Sequence, residues 1–249
     1  MGSGTSHGVP VIGCMCPVCL STNSHDKRLR CSAVLNTGDI SILIDTSTDF
    51  RHQALKYSVK KLDAILFTHA HADHTHGLDD IRPLCFGKKI PVYCDRVCEK
   101  EIREKFSYIF KETQKGGGKP LISLNIIDQK KFKAASLTVT PIKMFHGRNR
   151  ATGYRFGDTA YITDCSGLPD KSMEKLQGIK NLVIDGLRYR PHETHFTIDQ
   201  AIEIAEKTGA AHTWITHICH DMSHTALETE LPGNISPAFD GLEIDVGDL

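Results

Sequence analysis

The sequence predicts an α/β sandwich, in which helices cover two packed β-sheets. Patterns typical of short buried strands alternate with amphipathic helical patterns along the 249 residues, and no internal repeat or low-complexity tract interrupts them. Several of the apolar runs end on Asp or His, as buried strands do when they deliver side chains to a site. Because a chain of this length can bury a full core as one unit, we expect a single domain over residues 1–249.

The first half of the chain supplies two buried strands and a long helix. Residues 41–45 and 64–67 are apolar runs that pass directly into Asp or His. Residues 95–111 predict an amphipathic helix, since their large apolar side chains recur at helical spacing. Those side chains are Val97, Ile102, Phe106, Ile109 and Phe110. Residues 112–120 contain three consecutive glycines and are expected to form a loop.

The second half supplies further strands and one well-marked helix. The expected strands are residues 137–144, a hairpin over 153–164 that turns near Gly157, and residues 181–185 and 213–216. Thr197 and Gln200 form a capping-box pattern that opens the helix, and Gly209 ends it. The strands present His146, Asp164 and His217 at their ends.

The charge balance argues against partners that bind through a strong electrostatic field around the protein. Lysine plus arginine equals aspartate plus glutamate, at 30 each, so we expect no stable nucleic-acid partner and no membrane surface. No stretch approaches the roughly 20 apolar residues of a membrane span, and the first residues lack the features of a signal peptide. A cytoplasmic protein is therefore expected.

The segment His69-Ala-His71-Ala-Asp73-His74 is the strongest chemical signal in the sequence. His69 and His71 can face the same way at the end of a strand, while the following turn can aim Asp73 and His74 at a neighbouring position. One short segment thus supplies ligands to two metal ions. Imidazole and carboxylate ligands suit zinc, manganese or iron, and a pair of ions about 3.5–4 Å apart can hold a water as the nucleophile.

With this motif the sequence resembles the metallo-β-lactamase superfamily, in which a later His, an Asp and a final His complete the site. Those residues are present in order as His146, Asp164 and His217. The resemblance implies a four-layer αββα sandwich with seven ligands. It implies that the first ion is held by His69, His71 and His146, the second by Asp73, His74 and His217, and that Asp164 bridges the two.

Nine cysteines are present, and three of them cluster as Cys14, Cys16 and Cys19. In a reducing compartment such a cluster more often binds metal than forms disulfides, and three thiolates with one imidazole complete a tetrahedral zinc site. A redox disulfide or free thiols are the alternative. With Gly2-Ser-Gly-Thr, Tyr161-Ile-Thr-Asp-Cys-Ser-Gly and Thr216-His-Ile-Cys-His220, the chain is similar to the PhnP group of phosphodiesterases, related to the carbon–phosphorus lyase pathway.

That resemblance implies a structural zinc held by the loop at residues 14–19 and by His220, with Cys219 as a competing fourth ligand. It also implies that a histidine before the last helix protonates the leaving alkoxide. His195 matches that place, and His192 is its rival. We expect His195 and the ligand Asp73 to act in catalysis. Members of the group generally begin with an apolar strand before the Gly-x-Gly-Thr segment. Only Met1 precedes Gly2 here, so an edge strand is expected to be missing from this sequence.

Contacts to the substrate are expected from arginines in loops that follow strands. Arg148 follows His146, and Arg188 precedes His195, so either guanidinium can reach a phosphate. Arg150 and Arg190 lie beside them. Asp45 ends a strand just before the metal motif and is expected to orient a ligand histidine.

The expected function is hydrolysis of small, in some cases cyclic, phosphodiesters. A hydroxide bridging two divalent ions, zinc, manganese or iron, would attack phosphorus, and His195 would protonate the leaving group. An RNA-processing nuclease of the same fold and a non-hydrolytic protein similar to PqqB of quinone-cofactor biosynthesis are the alternatives. A homodimer is expected from the family alone.

Overall fold

The computed structural model describes residues 1–112, 118–247 and 249. Two β-sheets pack face to face, and helices lie on both outer faces, which confirms the four-layer αββα sandwich. The layer between the sheets is apolar, with Ile42 and Leu66 from one sheet meeting Val139 and Tyr154 from the other.

The first sheet has five strands, and their order across the sheet is their order in the chain. They are β1 (Ala33–Thr37), β2 (Ile40–Ile44), β3 (Ala64–Leu66), β4 (Ile90–Cys94) and β5 (Ile122–Ile126). β1 and β2 form an antiparallel hairpin, and β2 to β5 are parallel. The central strands β2 and β3 are almost entirely buried, as parallel strands covered on both faces must be.

The second sheet has seven strands in the order β12-β11-β10-β9-β8-β7-β6. They are β6 (Phe132–Ala134), β7 (Leu137–His146), β8 (Asn149–Phe156), β9 (Thr159–Ile162), β10 (Asn181–Asp185), β11 (His212–Thr216) and β12 (Ile235–Pro237). β6 to β9 form an antiparallel meander, and β9 to β12 are parallel. As a result β7, β9, β10 and β11 run in the same direction, and their carboxyl ends meet at one edge.

Helices on the two outer faces bury two further cores. They are α1 (Pro17–Leu20), α2 (Phe50–Lys56), α3 (Ala72–Thr75), α4 (Arg96–Lys105), α5 (Ser107–Phe110), α6 (Asp170–Leu176), α7 (Ile198–Thr208) and α8 (His224–Glu230), with 3₁₀ turns at Ser24–Asp26 and Leu78–Leu84. Elements from α2 to α5 cover the first sheet through residues such as Phe50 and Ile102. Later elements cover the second sheet through residues such as Leu176, Ala201 and Leu227.

Most of the expected elements are present. Thr197 and Gln200 make both hydrogen bonds of the capping box, and Gly209 ends α7 with φ 65°. The helix expected over residues 95–111 is wrong as a single helix, because the chain leaves helical geometry at Phe106. The break allows both Phe106 and Ile109 to be buried. In the loop expected over residues 112–120, residues 113–117 lie outside the described residues.

Among the described residues, no helix has the length and apolar character that crossing a membrane requires.

Candidate metal centre

The first group of expected ligands follows β3. His69 and His71 lie in the turn after this strand, and the short helix α3 carries Asp73 and His74. Hydrogen bonds hold α3 against the loop after β2, since Thr46 Oγ1 donates to the Thr75 carbonyl at 3.1 Å and Thr48 Oγ1 donates to the Ala72 carbonyl at 3.2 Å.

Gly77 closes this turn, and the space around it admits only glycine. A Cβ atom there would lie 2.2 Å from the Ser47 carbonyl oxygen and 2.6 Å from Phe50 Cβ. The absence of a side chain therefore lets the metal-motif segment pack closely against the start of α2.

Three further site residues adopt left-handed backbone conformations directly after a strand. Asp45 after β2 has φ 62°, Asp164 after β9 has φ 60° and His217 after β11 has φ 58°. Residues other than glycine adopt this region uncommonly, and it costs roughly 1–3 kcal/mol where the surrounding structure imposes it. Each of these residues turns the chain sharply where the strand ends, and their polar side chains come together between the two sheets.

The expected ligands form two clusters joined by one carboxylate. The ligand atoms of His69, His71 and His146 lie within 4.8 Å of one another, and so do those of Asp73, His74 and His217. The two clusters match the two expected sets.

Asp164 lies between the clusters with one oxygen toward each. Its Oδ1 is 4.0 Å from His69 Nε2 and 3.9 Å from His146 Nε2, whereas its Oδ2 is 3.0 Å from His74 Nε2 and 3.4 Å from His217 Nε2. Burial alone would raise the pKa of Asp164, but the His217 and His74 imidazoles hold it well below its ordinary value. The carboxylate is therefore ionised and able to bridge two cations.

The residues fit divalent ions on a second, independent ground. His69 Nε2 is buried without a hydrogen-bond partner among the described residues, and Asp164 Oδ1 is 4.0 Å away from it. Burying an unpaired imidazole nitrogen is costly, and coordination to a metal removes that cost. Imidazole and carboxylate donors in this proportion suit zinc, manganese and iron.

Asp45 occupies the expected supporting position. Its Oδ2 lies 2.7 Å from His74 Nδ1, and it accepts 2.8 Å hydrogen bonds from the backbone N–H and the hydroxyl of Thr68. A carboxylate bonded to one ring nitrogen leaves the other nitrogen free to bind metal. His74 Nε2 is thereby aimed at the space between Asp73 and Asp164.

His195 lies beside the clusters and has a buried partner that the sequence interpretation missed. His195 Nε2 is 3.7 Å from Asp164 Oδ1, and its Nδ1 is 3.1 Å from Oδ2 of Asp185, the last residue of β10. Burial and the negative charge of Asp164 raise the pKa of Asp185 to about 8, while burial and His217 lower that of His195 to about 4. Near neutral pH the Asp185 carboxyl is therefore protonated and the His195 ring is neutral.

A sequence signal for Asp185 did exist. It ends an apolar strand, as Asp45 does, and the same rule that selected Asp45 applies to it. His192 is exposed, and its ring bonds within its own loop, with Nδ1 3.1 Å from Thr194 Oγ1.

The cysteine cluster meets His220 as expected. Its Nδ1 lies 3.3 Å from Cys14 Sγ, 3.4 Å from Cys16 Sγ and 3.5 Å from Cys19 Sγ. The Cys19 backbone N–H bonds to the Cys16 sulfur and lowers the pKa of Cys16 to about 6, which favours the thiolate that zinc binds. Cys219 lies outside this group of four.

A buried arginine holds the segment that carries His220. Arg28 Nη1 donates to the Cys219 carbonyl at 2.8 Å, and Nη2 donates to the Met222 carbonyl at 3.0 Å and to Asp26 at 3.3 Å. These bonds fix the chain on both sides of His220. The contacts of His220 with the three cysteine sulfurs then place the loop at residues 14–19 against the segment that follows His217.

The two arginines expected to contact substrate are placed differently. Arg148 is exposed in the turn between β7 and β8 and lines two cavities beside the clusters. Arg188 bonds to the backbone of its own loop, with Nε 3.2 Å from the Arg190 carbonyl and Nη2 3.3 Å from the Pro191 carbonyl. Arg190 pairs with Asp221 at 2.7 Å. Of the two, only Arg148 lines a cavity at the clusters.

Comparison with known proteins places the chain in a family. Residues 41–218 match the family model of the beta-lactamase superfamily domain. A protein of Porphyromonas gingivalis named octanoyltransferase is 40% identical over 250 residues, which cover 98% of this chain and 50% of that protein. The chain thus spans about half the length of this curated relative.

Two solved structures share nearly the whole fold. The crystal structure of a diphosphatase from the PhnP family is 44% identical, with a TM-score of 0.91, and the match covers 97% of this chain and 93% of that chain. Zinc-bound PqqB from Methylobacterium extorquens is 17% identical, with a TM-score of 0.78 and 98% of each chain covered, which shows the fold alone. The chain belongs to the metallo-β-lactamase superfamily, and within it the chain is similar to the PhnP family.

Proposed function

We propose that this protein is a metal-dependent phosphodiesterase that hydrolyses small phosphodiesters. The observation that carries the proposal is the pair of three-ligand clusters joined by Asp164, with the His195–Asp185 pair beside them. Diester hydrolysis needs a nucleophile, charge stabilisation at phosphorus and a proton for the leaving oxygen, and this arrangement offers a group for each.

Two divalent ions, when bound, would activate a water and stabilise the negative charge that builds on the phosphoryl oxygens. His69, His71 and His146 would hold one of them, and Asp73, His74 and His217 the other. Asp164 would bridge both, and Asp45 would orient His74. Zinc, manganese and iron all suit these ligands, and a further zinc ion would be held by Cys14, Cys16, Cys19 and His220.

His195 would protonate the leaving alkoxide from Nε2. The Asp185 carboxyl holds the ring through Nδ1, so Nε2 faces the clusters and the proton held by the pair can move toward the leaving oxygen. An alkoxide leaves poorly without a proton, so this step matters most for alkyl diesters.

A second candidate is hydrolysis of a diphosphate, which the 44% identical diphosphatase favours. The same two clusters would hold the metal ions for this reaction, but a departing phosphate depends less on protonation by a general acid. The two functions therefore differ in how much they depend on His195.

We do not propose octanoyl transfer for this chain, because the relative named octanoyltransferase is twice as long as the region that matches. We also propose a cytoplasmic location and a homodimer, both from the family resemblance, and no stable nucleic-acid partner, because the net charge is zero.

The test is an assay of protein stripped of metal and reloaded with manganese or zinc. We expect metal-dependent cleavage of bis(p-nitrophenyl) phosphate and little cleavage of the monoester. His195→Ala should slow an alkyl or cyclic diester more than the nitrophenyl diester, since nitrophenolate leaves unaided, and His192→Ala is the matched control.

An intact diester with every metal tried would overturn the proposal. Oxygen consumption with bound iron would then support the PqqB-like alternative, and cleavage of RNA alone would support the nuclease. Faster cleavage of a diphosphate than of any diester, with little effect of His195→Ala, would favour the diphosphatase.

A further inference from the structure

Two cavities flank the β7–β8 turn at the metal centre. We call the first the His71 cavity; its volume is about 240 Å³, and its walls include His69, His71, Asp95, Glu101 and Arg150. The second, the His192 cavity, has a volume of about 460 Å³, and its walls include His146, Ser166, His192, Glu193 and His195. Arg148 lines both, so the cavities meet at the centre from opposite sides of one turn.

The position of His195 assigns a role to each cavity. A group that protonates the leaving oxygen must lie on the leaving side of phosphorus, and His195 lines the His192 cavity. The alcohol that departs therefore occupies the His192 cavity. The substituent that stays on phosphorus then lies in the His71 cavity, beside His69 and His71.

The acidic groups of the His71 cavity already have partners. Asp95 Oδ1 accepts a 2.8 Å hydrogen bond from the Cys98 backbone N–H, and Glu101 Oε2 lies 3.1 Å from Lys105 Nζ. Within the described residues, Arg148 and Arg150 have no carboxylate within ion-pair distance. In the described part of the chain, the charges in this cavity without an ion-pair partner are therefore two guanidinium groups and the Asp95 carboxylate, which leaves an excess of positive charge for an anionic ligand.

The His192 cavity has a different balance. Glu193 is exposed there, and no lysine or arginine of the described residues pairs with it. An anionic leaving alcohol would meet this carboxylate, whereas a neutral or hydroxyl-bearing one would not be repelled. Arg148 lines both cavities, whereas Arg150 lines the His71 cavity and Glu193 the His192 cavity, so the His71 cavity favours an anionic group more than the His192 cavity does.

From this asymmetry, and resting on the proposed function, we propose that Arg150 and Glu193 decide which ester bond of an unsymmetrical phosphodiester is broken. A substituent that carries an additional anionic group stays on phosphorus in the His71 cavity. The neutral substituent leaves through the His192 cavity: the oxygen of water bonds to phosphorus, the bond from phosphorus to the neutral alcohol breaks, and the departing oxygen takes a proton from His195. The proton that the water loses restores the His195–Asp185 pair.

Two thymidine dinucleotides test this, one with an extra phosphate at its 5′ end and the other with the extra phosphate at its 3′ end. We expect both to give thymidine 3′,5′-bisphosphate and thymidine, because the anionic half retains the central phosphate in each case. This channel should exceed the other by about tenfold or more, as expected for a charge-assisted contact to a phosphate.

Arg150→Gln should bring the ratio of the two product channels toward one for both dinucleotides, and Glu193→Gln should shift it in the same direction. Arg51→Gln, a change at an exposed arginine of α2, is the control and should leave the ratio as it is. Because the readout is a ratio of products, loss of folded enzyme does not imitate the effect.

Cleavage with a constant polarity would refute the proposal, since it yields thymidine bisphosphate from one dinucleotide and two monophosphates from the other. An unchanged ratio in Arg150→Gln would also refute it, and so would resistance of both dinucleotides while bis(p-nitrophenyl) phosphate is cleaved. Loss of bis(p-nitrophenyl) phosphate cleavage as well would instead mark failure of the phosphodiesterase proposal.

Discussion

Replacing Asp185 by Asn tests the mechanism at its buried proton site. The Asp185 carboxyl lies 3.1 Å from His195 Nδ1 and accepts hydrogen bonds of 3.1 and 3.2 Å from the Cys165 backbone N–H. Asparagine keeps the shape of the side chain and one oxygen that can accept the hydrogen bond from the Cys165 backbone N–H. It cannot share a proton with the ring as a carboxyl group does, so His195 loses the partner that fixes its protonated nitrogen.

The size of the effect follows from that one bond. When His195 gives up the proton on Nε2, the Asp185 carboxyl passes its own proton to Nδ1 and becomes a carboxylate. The bond lost in the variant is then one to a charged group, which contributes about 1.5–3 kcal/mol, and at about 1.4 kcal/mol per factor of ten this is roughly a 10- to 150-fold loss of rate. We expect this loss in kcat for an alkyl diester and a much smaller one for bis(p-nitrophenyl) phosphate, because nitrophenolate needs no acid. Metal content should be unchanged.

Steady-state kinetics with both substrates, together with metal analysis of the variant, measures the effect. The reasoning would be refuted if Asp185→Asn slowed the two diesters equally, since the defect would then lie in the metal centre. A wild-type rate on the alkyl diester would show that Asp185 has no part in proton transfer.

Asp45→Asn tolerates the left-handed backbone but weakens the bond to His74, so affinity for active-site metal should fall roughly 10- to 100-fold, as a metal titration would show. Equal affinity in variant and wild type would contradict the role of Asp45. Cys19→Ser should lose one equivalent of zinc, read by elemental analysis, while retaining metal at His69 and its partners; full zinc content would refute the cysteine site. Arg28→Met leaves the Cys219 and Met222 carbonyls without this donor and the buried Asp26 carboxylate without its cation. It should lower the free energy of unfolding by about 3–5 kcal/mol in a denaturant titration, with Arg28→Lys less affected. Gly77→Ala places a Cβ 2.2 Å from the Ser47 carbonyl and should cost about 1–3 kcal/mol in the same assay; stability equal to wild type would show that the turn yields easily.

Strand patterns predicted much of the site because the candidate ligands follow strands whose sequence patterns are clear. His146, Asp164 and His217 were found at the ends of apolar runs, and the structure brings their ligand atoms to the same centre as His69 and His74. Cys165, the neighbour of Asp164, is buried in the core of the second sheet.

Other features depend on contacts between distant segments. Asp185 has the same sequence signal as Asp45, but its role follows only from the approach of His195, ten residues later, across a loop. The break at Phe106 is decided by the core it enters, which outweighs the helical spacing of residues 95–111. Arg188, equal to Arg148 as a sequence candidate, is bound by its own loop.

The sequence by itself determined the α/β sandwich class and the residue types able to hold metal, because both depend on local periodicity and on the chemistry of single side chains. The four-layer αββα arrangement was implied by the family resemblance. Only the tertiary structure decided how those groups are divided: which oxygen of Asp164 faces which cluster, which histidine has the carboxyl partner, and which arginine is free to meet a substrate. The physical reason is that distances of 3–4 Å between strand ends arise from sheet packing and backbone turns. No spacing along the chain encodes them.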